Sequence, residues 1–179
     1  MTLELATDLT LYDVLSKIIV PLFITFFVAA FVGLERQNVG KAAGLSSHIL
    51  VAMGAAGIAI MQRFMFEYQM YLQLEKGLSI DPEGQRVIAQ VVTGIGFVGA
   101  GVIIKDQANV VKGITTAATI WFVAMIGLIL GSGYLIIGTI LGLFVVIFVL
   151  SRDIKRGFNP LKPAKKVQKR LEKIQEENL

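Results

Sequence analysis

VVTGIGFVGAGVIIKD, residues 91–106, admits two incompatible readings, and the choice between them decides the fold. Gly94, Gly96 and Gly99 stand in G-x-G-x-x-G spacing after an apolar run, the spacing of a dinucleotide-binding turn. That turn needs a strand before it, a helix after it within one βαβ unit, and an acidic residue about 20 positions further on for the ribose. Here the apolar run from Val87 to Ile104 is bounded by Arg86 and Lys105, and the nearest acid is Asp106, close behind Gly99. A run of that length crosses a membrane, where a loop of open backbone would leave amides without partners. The glycines are therefore expected on a helix, where Thr93, Gly96 and Ala100, with Gly94 and Gly99 beside them, form a flat stripe that lets another backbone approach.

The rest of the chain agrees. Its 179 residues are 55% hydrophobic and 17% charged, with a mean hydropathy of +0.70, against about 45–50% and 25% in soluble domains. Charge-free windows run from Ile18 to Leu34, from Ala42 to Gln62, from Val87 to Ile104, and from Ile114 up to Arg152. The last is long enough for two helices and is divided by Gly131-Ser132-Gly133, a turn cluster. The expected architecture is an all-α integral membrane protein, a bundle of five transmembrane helices at about 18–34, 42–62, 87–104, 114–130 and 134–150. An extracytoplasmic leader, 1–17, precedes this domain (18–151), and a basic cytoplasmic tail, 152–179, follows it. The leader carries Glu4, Asp8 and Asp13 before Lys17, where a cleaved secretory signal needs positive charge, so it is expected to be retained.

Lys and Arg collect on the cytoplasmic side of a membrane. Net charge is −2 up to Lys17, +1 over 35–41, −1 over 63–86, +1 over 105–112 and +5 over 152–179. This alternation places the N-terminus outside and the C-terminus inside. The tail, with Val167, Leu171 and Ile174 spaced along it, suits anionic lipid at the inner leaflet or serves only as a positive-inside anchor. No nucleic-acid partner is expected.

Further small-residue pairs, Ala29 with Gly33 and Gly138 with Gly142, together with Ala124, Gly127 and Gly131, predict close helix packing, and one stripe left over would serve a homodimer. Arg86, Gln90 and Thr93 form a polar seam on the side of the third helix that holds Gly96 and Ala100, against a neighbour or an outward cavity.

The remaining polar residues gather at the cytoplasmic end: Glu35 and Arg36 close the first span, Ser46, Ser47 and His48 open the second, Lys105 and Asp106 end the third, and Thr115, Thr116 and Thr119 open the fourth. Two helix N-termini there, with Lys41 and Lys112 just before them, favour an anion. The carboxylates of Glu35 and Asp106 with the hydroxyls of Thr115 and Thr119 are oxygen ligands of the kind Mg²⁺ accepts. The same residues also serve as caps and ion pairs: serine or threonine at the helix starts, Glu35 with Arg36 or Lys41, Asp106 with Lys105 or Lys112. Both readings stay open. Cysteine is absent and histidine occurs once, so there is no thiolate chemistry, no serine-histidine-acid set and no H-E-x-x-H, and neither an enzyme nor a resident cofactor is expected.

FVGLERQ (31–37), KAAGLSSHILVAMGAA (41–56), RVIAQVVTGIGFVGAGVIIKD (86–106) and VKGITTAATIW (111–121) resemble the MgtC/SapB family of bacterial membrane proteins. Ser46 stands where that family usually has arginine. With its short tail the chain looks like the SapB or YhiD type, without the soluble C-terminal domain of MgtC. The resemblance implies a bacterial inner-membrane protein tied to magnesium limitation, acid stress or virulence. It implies a regulator that works through a membrane partner such as the F-type ATP synthase, with Glu35, Arg36, Asp106, Asn109 and Thr115 in the functional region. Ion transport by an oligomer, carrying Mg²⁺ or K⁺, is the second expectation.

Overall fold

The computed structural model describes residues 9–77, 84–107, 109–155, 157, 159–164 and 167–168. The first eight residues of the leader, and Leu171 and Ile174 of the tail, lie outside the described residues.

Helix α1 runs over Leu11–Asn38. Thr10 opens it with a capping box, its hydroxyl taking the Asp13 amide while the Asp13 carboxylate returns to the Thr10 amide. A wider π-helical stretch, Val14–Ile19, precedes Pro21. Proline has no N–H, so it cannot bond the carbonyl of Lys17 one turn back. The guanidinium of Arg63 supplies the missing donor, Nη2 reaching the Lys17 oxygen at 2.6 Å.

Helix α2 covers Leu45–Lys76 and stops at Gly77, which takes the left-handed conformation. Helix α3 covers Gly84–Ala100, strands β1 (Ile104–Lys105) and β2 (Val111–Lys112) form an antiparallel ribbon, and helices α4 (Ile114–Gly131) and α5 (Leu135–Lys155) complete the chain. Among the described residues four helices, α1, α2, α4 and α5, are long and apolar enough to cross a membrane, and the apolar part of α3, Arg86–Ala100, is shorter.

Helix α1 outruns its charge-free window at both ends, and α2 and α5 outrun theirs at the C-terminal end. Residues 63–76 hold mostly good helix formers, so α2 continues well past the expected end at Gln62. The third segment does the opposite: it is helical only to Ala100, and Ile104 already pairs with Lys112, because β-branched residues on both sides of a tight turn favour a ribbon. The caps differ too. Gly44 and Gly113 occupy the N-cap positions of α2 and α4 without side-chain caps, in place of the serines and threonines that follow them. At Gly113, φ is +94° and a side chain would run into the Val102 carbonyl, so only glycine lets the ribbon turn directly into α4.

Helix α4 is the centre of the bundle and packs most closely on α2. Gly127 and Gly131 face the backbone of Ala52 and Ala56 so tightly that a Cβ at Gly131 would lie 2.5 Å from the Ala56 oxygen. Around this seam Ala29, Val32, Val123, Ile126 and Leu130 are buried. Gly138 lies against Leu130, and Gly142 against Val28. Helix α3 rests on a second cluster, its Ile95 among Ala55, Ala59, Ala124 and Leu128, with Gly99 against Ala117. Its other face is open: nothing lies within 4 Å of a Cβ at Gly94 or Gly96, and Gln90, Thr93 and Ala100 are exposed. Among the described residues, Gln90 and Thr93 of the polar seam thus face away from the other helices, with the Thr93 hydroxyl bonded to the Ala89 carbonyl of its own helix.

Candidate functional site

One end of the bundle gathers the C-termini of α1 and α5 and the N-termini of α2 and α4. A Cβ at Gly33 would lie 2.8 Å from the Leu45 backbone, so α1 and α2 meet there almost without side chains between them. Glu35 is 1% exposed and Arg36 3%. The Arg36 guanidinium donates to both oxygens of the neighbouring Glu35. Arg152, 117 positions away on α5, donates from Nη2 to Glu35 Oε1 at 2.9 Å and from Nε to Asp153 Oδ1 at 3.1 Å. Two acids and two guanidinium groups thus tie α1 to α5 in a balanced cluster, the condition under which charges are tolerated away from water.

Beside it, on the α2–α4 contact, lies His48, 0% exposed. Its Nδ1 is 2.7 Å from the Gly44 carbonyl, which can only accept, so Nδ1 carries the proton. In the neutral ring Nε2 then accepts from the Thr119 hydroxyl at 3.0 Å, and that hydroxyl lies equally near the Thr116 carbonyl at 2.9 Å. Thr119→Val keeps the volume but leaves a buried ring nitrogen unpaired, and thermal or denaturant unfolding in detergent is expected to show a loss of about 1–3 kcal/mol. Thr115→Val, at an exposed position, is expected to change stability by less than about 0.5 kcal/mol.

Other candidates sit on the ribbon. Asp106 pairs with Lys112 at 2.6 Å, and its Oδ1 accepts the Val110 amide at 2.9 Å. Asn109 turns the chain at φ +60°, a conformation asparagine tolerates, and is exposed. Behind α5 the tail folds back as a strap: Asn38 Nδ2 donates to the Pro160 carbonyl at 2.7 Å, the Ala164 amide donates to the Asn38 carbonyl at 2.9 Å, and Val167 lies over Gly40.

The sequence-predicted residues therefore divide. Glu35, Arg36 and Thr119 are buried in two bonded clusters, whereas Asn109, Lys112 and Thr115 are exposed around the ribbon with Asp106 half-buried among them. Sequence reasoning did not foresee that Arg152 and Asp153 join Glu35, nor that His48 pairs with Thr119. Positive charge after a last span is so common that nothing singled out Arg152. The surroundings of Glu35 do not suit Mg²⁺, since its oxygens already accept from two cationic groups that would repel a divalent ion. Among the described residues no group of three or more acidic or histidine side chains could hold a metal.

Apolar helices joined through glycine and alanine, with charged side chains kept outside their apolar stretches, define a multi-pass membrane protein. Its family is identified by comparison: the sequence model of the MgtC family matches residues 22–156, and the chain belongs to that family. Over 135 residues it is 40% identical to an Escherichia coli K12 protein named "Putative magnesium transporter YhiD", a match covering 75% of this chain and 60% of that one. It is 36% identical to Protein MgtC of Brucella abortus over 68% of this chain and 45% of the relative. It is 33% identical to Protein SapB of Bacillus subtilis, over 65% and 48%. The chain thus spans about half to three-fifths of the length of these relatives, YhiD and SapB included, so length does not set a short YhiD/SapB type apart from MgtC. No solved structure matches.

Proposed function

We propose that the protein is a regulatory protein of the bacterial inner membrane, linked to magnesium limitation or acid stress. It acts by binding a membrane partner, such as an F-type ATP synthase, or a small ligand at its cytoplasmic face. In this reading the chain crosses five times, N-terminus outside, with α3 as the short third crossing. The alternating loop charges support that orientation. Glu35, Arg36, Arg152 and Asp153 hold the cytoplasmic end in shape, and the exposed Asn109, Lys112 and Thr115 with Asp106 meet the partner.

The observation that carries the reading is the closed middle of the bundle. Gly127 and Gly131 press on the α2 backbone, and the stretches 18–34, 49–62, 87–104 and 113–151 contain no ionisable side chain except Tyr134. A pump needs a relay of such groups across the bilayer, and a transporter needs ligands near its midplane.

Cation transport is the second reading, favoured by the name of the Escherichia coli relative. Flux of Mg²⁺ and K⁺ into proteoliposomes separates the two. The regulator predicts flux no greater than in protein-free vesicles. Saturable flux abolished by Glu35→Gln or Asp106→Asn would establish transport instead.

A further inference from the structure

The ribbon between α3 and α4 does not have the surface of a water-bathed loop. Ile103, Ile104, Val110, Val111 and Ile114 are 41–59% exposed, an unusual concentration of aliphatic surface for a connecting segment, which is normally polar. Ile103, Ile104 and Ile114 stand at its base, with Lys112 level with Ile104; Lys105 and Val111 face each other one rung higher, and Val110 meets Asp106 beside the turn. The tip is polar: Asp106 bonds the amide of Val110, and Gln107 and Asn109 are exposed. The lowest rung is therefore aliphatic alone, charged side chains enter from Ile104↔Lys112 upward, and Val110 is the aliphatic exception beside the polar turn.

The flanking helices give the reason. Helix α3 has 17 residues and α4 has 18, so they are about 25 and 27 Å long, against about 30 Å of hydrocarbon. Neither clears the apolar layer fully, and the base of the ribbon continues their lipid-facing surface, on which Phe97 is 83% exposed. Cross-strand hydrogen bonds satisfy part of the ribbon backbone, while its unpaired edges need the water and headgroups of the boundary.

We infer that the β1–β2 ribbon is a membrane-boundary element: its aliphatic base lies among lipid acyl chains, Lys105 reaches the lipid phosphates, Lys112 stays paired with Asp106, and the tip stands in water. Lys105 suits this position, because a long apolar stem can stay in the hydrocarbon while the ammonium group snorkels to an anionic headgroup. Pairing with a strand of another protein is disfavoured, since two-residue strands offer too short an edge for β-augmentation. The inference goes beyond the proposed function and holds for a regulator or a transporter alike.

The chain has no cysteine, so single nitroxide labels can be placed cleanly at Ile103→Cys, Ile104→Cys, Gln107→Cys and Asn109→Cys. The reconstituted full chain, in vesicles of phosphatidylcholine with phosphatidylglycerol, is then probed for collision with oxygen, which concentrates in lipid, and with a nickel chelate, which stays in water. Oxygen should dominate at 103 and 104, and the chelate at 107 and 109. Chelate dominance at all four positions would overturn the inference. So would low collision with both reagents at 103 and 104, which would mean that protein covers them. If a label at the base prevents folding, Ile104→Trp in a Trp121→Phe background replaces it. Quenching of its fluorescence by brominated lipid supports the inference, and quenching only by an aqueous quencher overturns it.

Discussion

Glu35→Ala is expected to destabilise the protein by about 3–5 kcal/mol, the cost of leaving buried charges without their counter-ion. Arg36 is 3% exposed and the Arg152 side chain 14%, and both donate to this one carboxylate, so its removal leaves two guanidinium groups facing each other. Glu35→Gln keeps an acceptor oxygen and the side-chain shape and is expected to cost less. A double-mutant cycle with Arg152→Ala isolates the link between α1 and α5. The coupling should fall within about 0.5–3 kcal/mol, the range for residues sharing one network. Unfolding of the detergent-solubilised protein with increasing sodium dodecyl sulfate reads all three values. A Glu35→Ala loss below about 1 kcal/mol would mean that Glu35 is not the hub of this end of the bundle.

The second large effect comes from the middle of the membrane. A Cβ at Gly127 would overlap the Ala52 carbonyl, and backbone, unlike a side chain, cannot turn aside. Gly127→Leu should therefore cost at least the upper part of the usual range for overpacking, about 1–3 kcal/mol, or prevent insertion of a folded bundle. Gly94→Ala is the control. With open space around it, alanine there should be neutral or stabilising by roughly 0.5–1 kcal/mol through helix propensity. The same unfolding titration distinguishes the pair, and equal effects would contradict the α2–α4 seam.

The α-helical membrane class was legible in the sequence because soluble domains, about a quarter of whose residues are charged, rarely run so far without a charge. The family was legible because its glycine pattern and the TTAATIW run occur together. Helix ends were not. The window over 42–62 marks where charge is absent, while helix formation continues through Arg63 and Glu67 to Lys76. At the third segment hydrophobicity persisted to Ile104, but the backbone left the helix at Ala100, since an apolar run of β-branched residues fits a strand as readily as a helix. In the candidate site, Glu35 beside Arg36 was visible as an adjacent pair. Its bond to Arg152 joins residues 117 positions apart, and no local pattern announces such a contact. His48 looked like a polar residue at a helix start, and only the packing of α2 on α4 set Thr119 opposite it.

The most direct test of the account is the side of the membrane on which the two ends of α3 lie, since the five crossings, the orientation and a cytoplasmic face all depend on that short helix. Single cysteines at Gln73→Cys, near the end of α2, and Gln107→Cys, in the ribbon, can be labelled in intact and permeabilised cells with a thiol reagent that does not cross membranes. The account predicts that position 73 reacts in intact cells and position 107 only after permeabilisation. Reaction of both under the same condition would show that α3 does not cross, and would contradict the proposed topology and the site built on it.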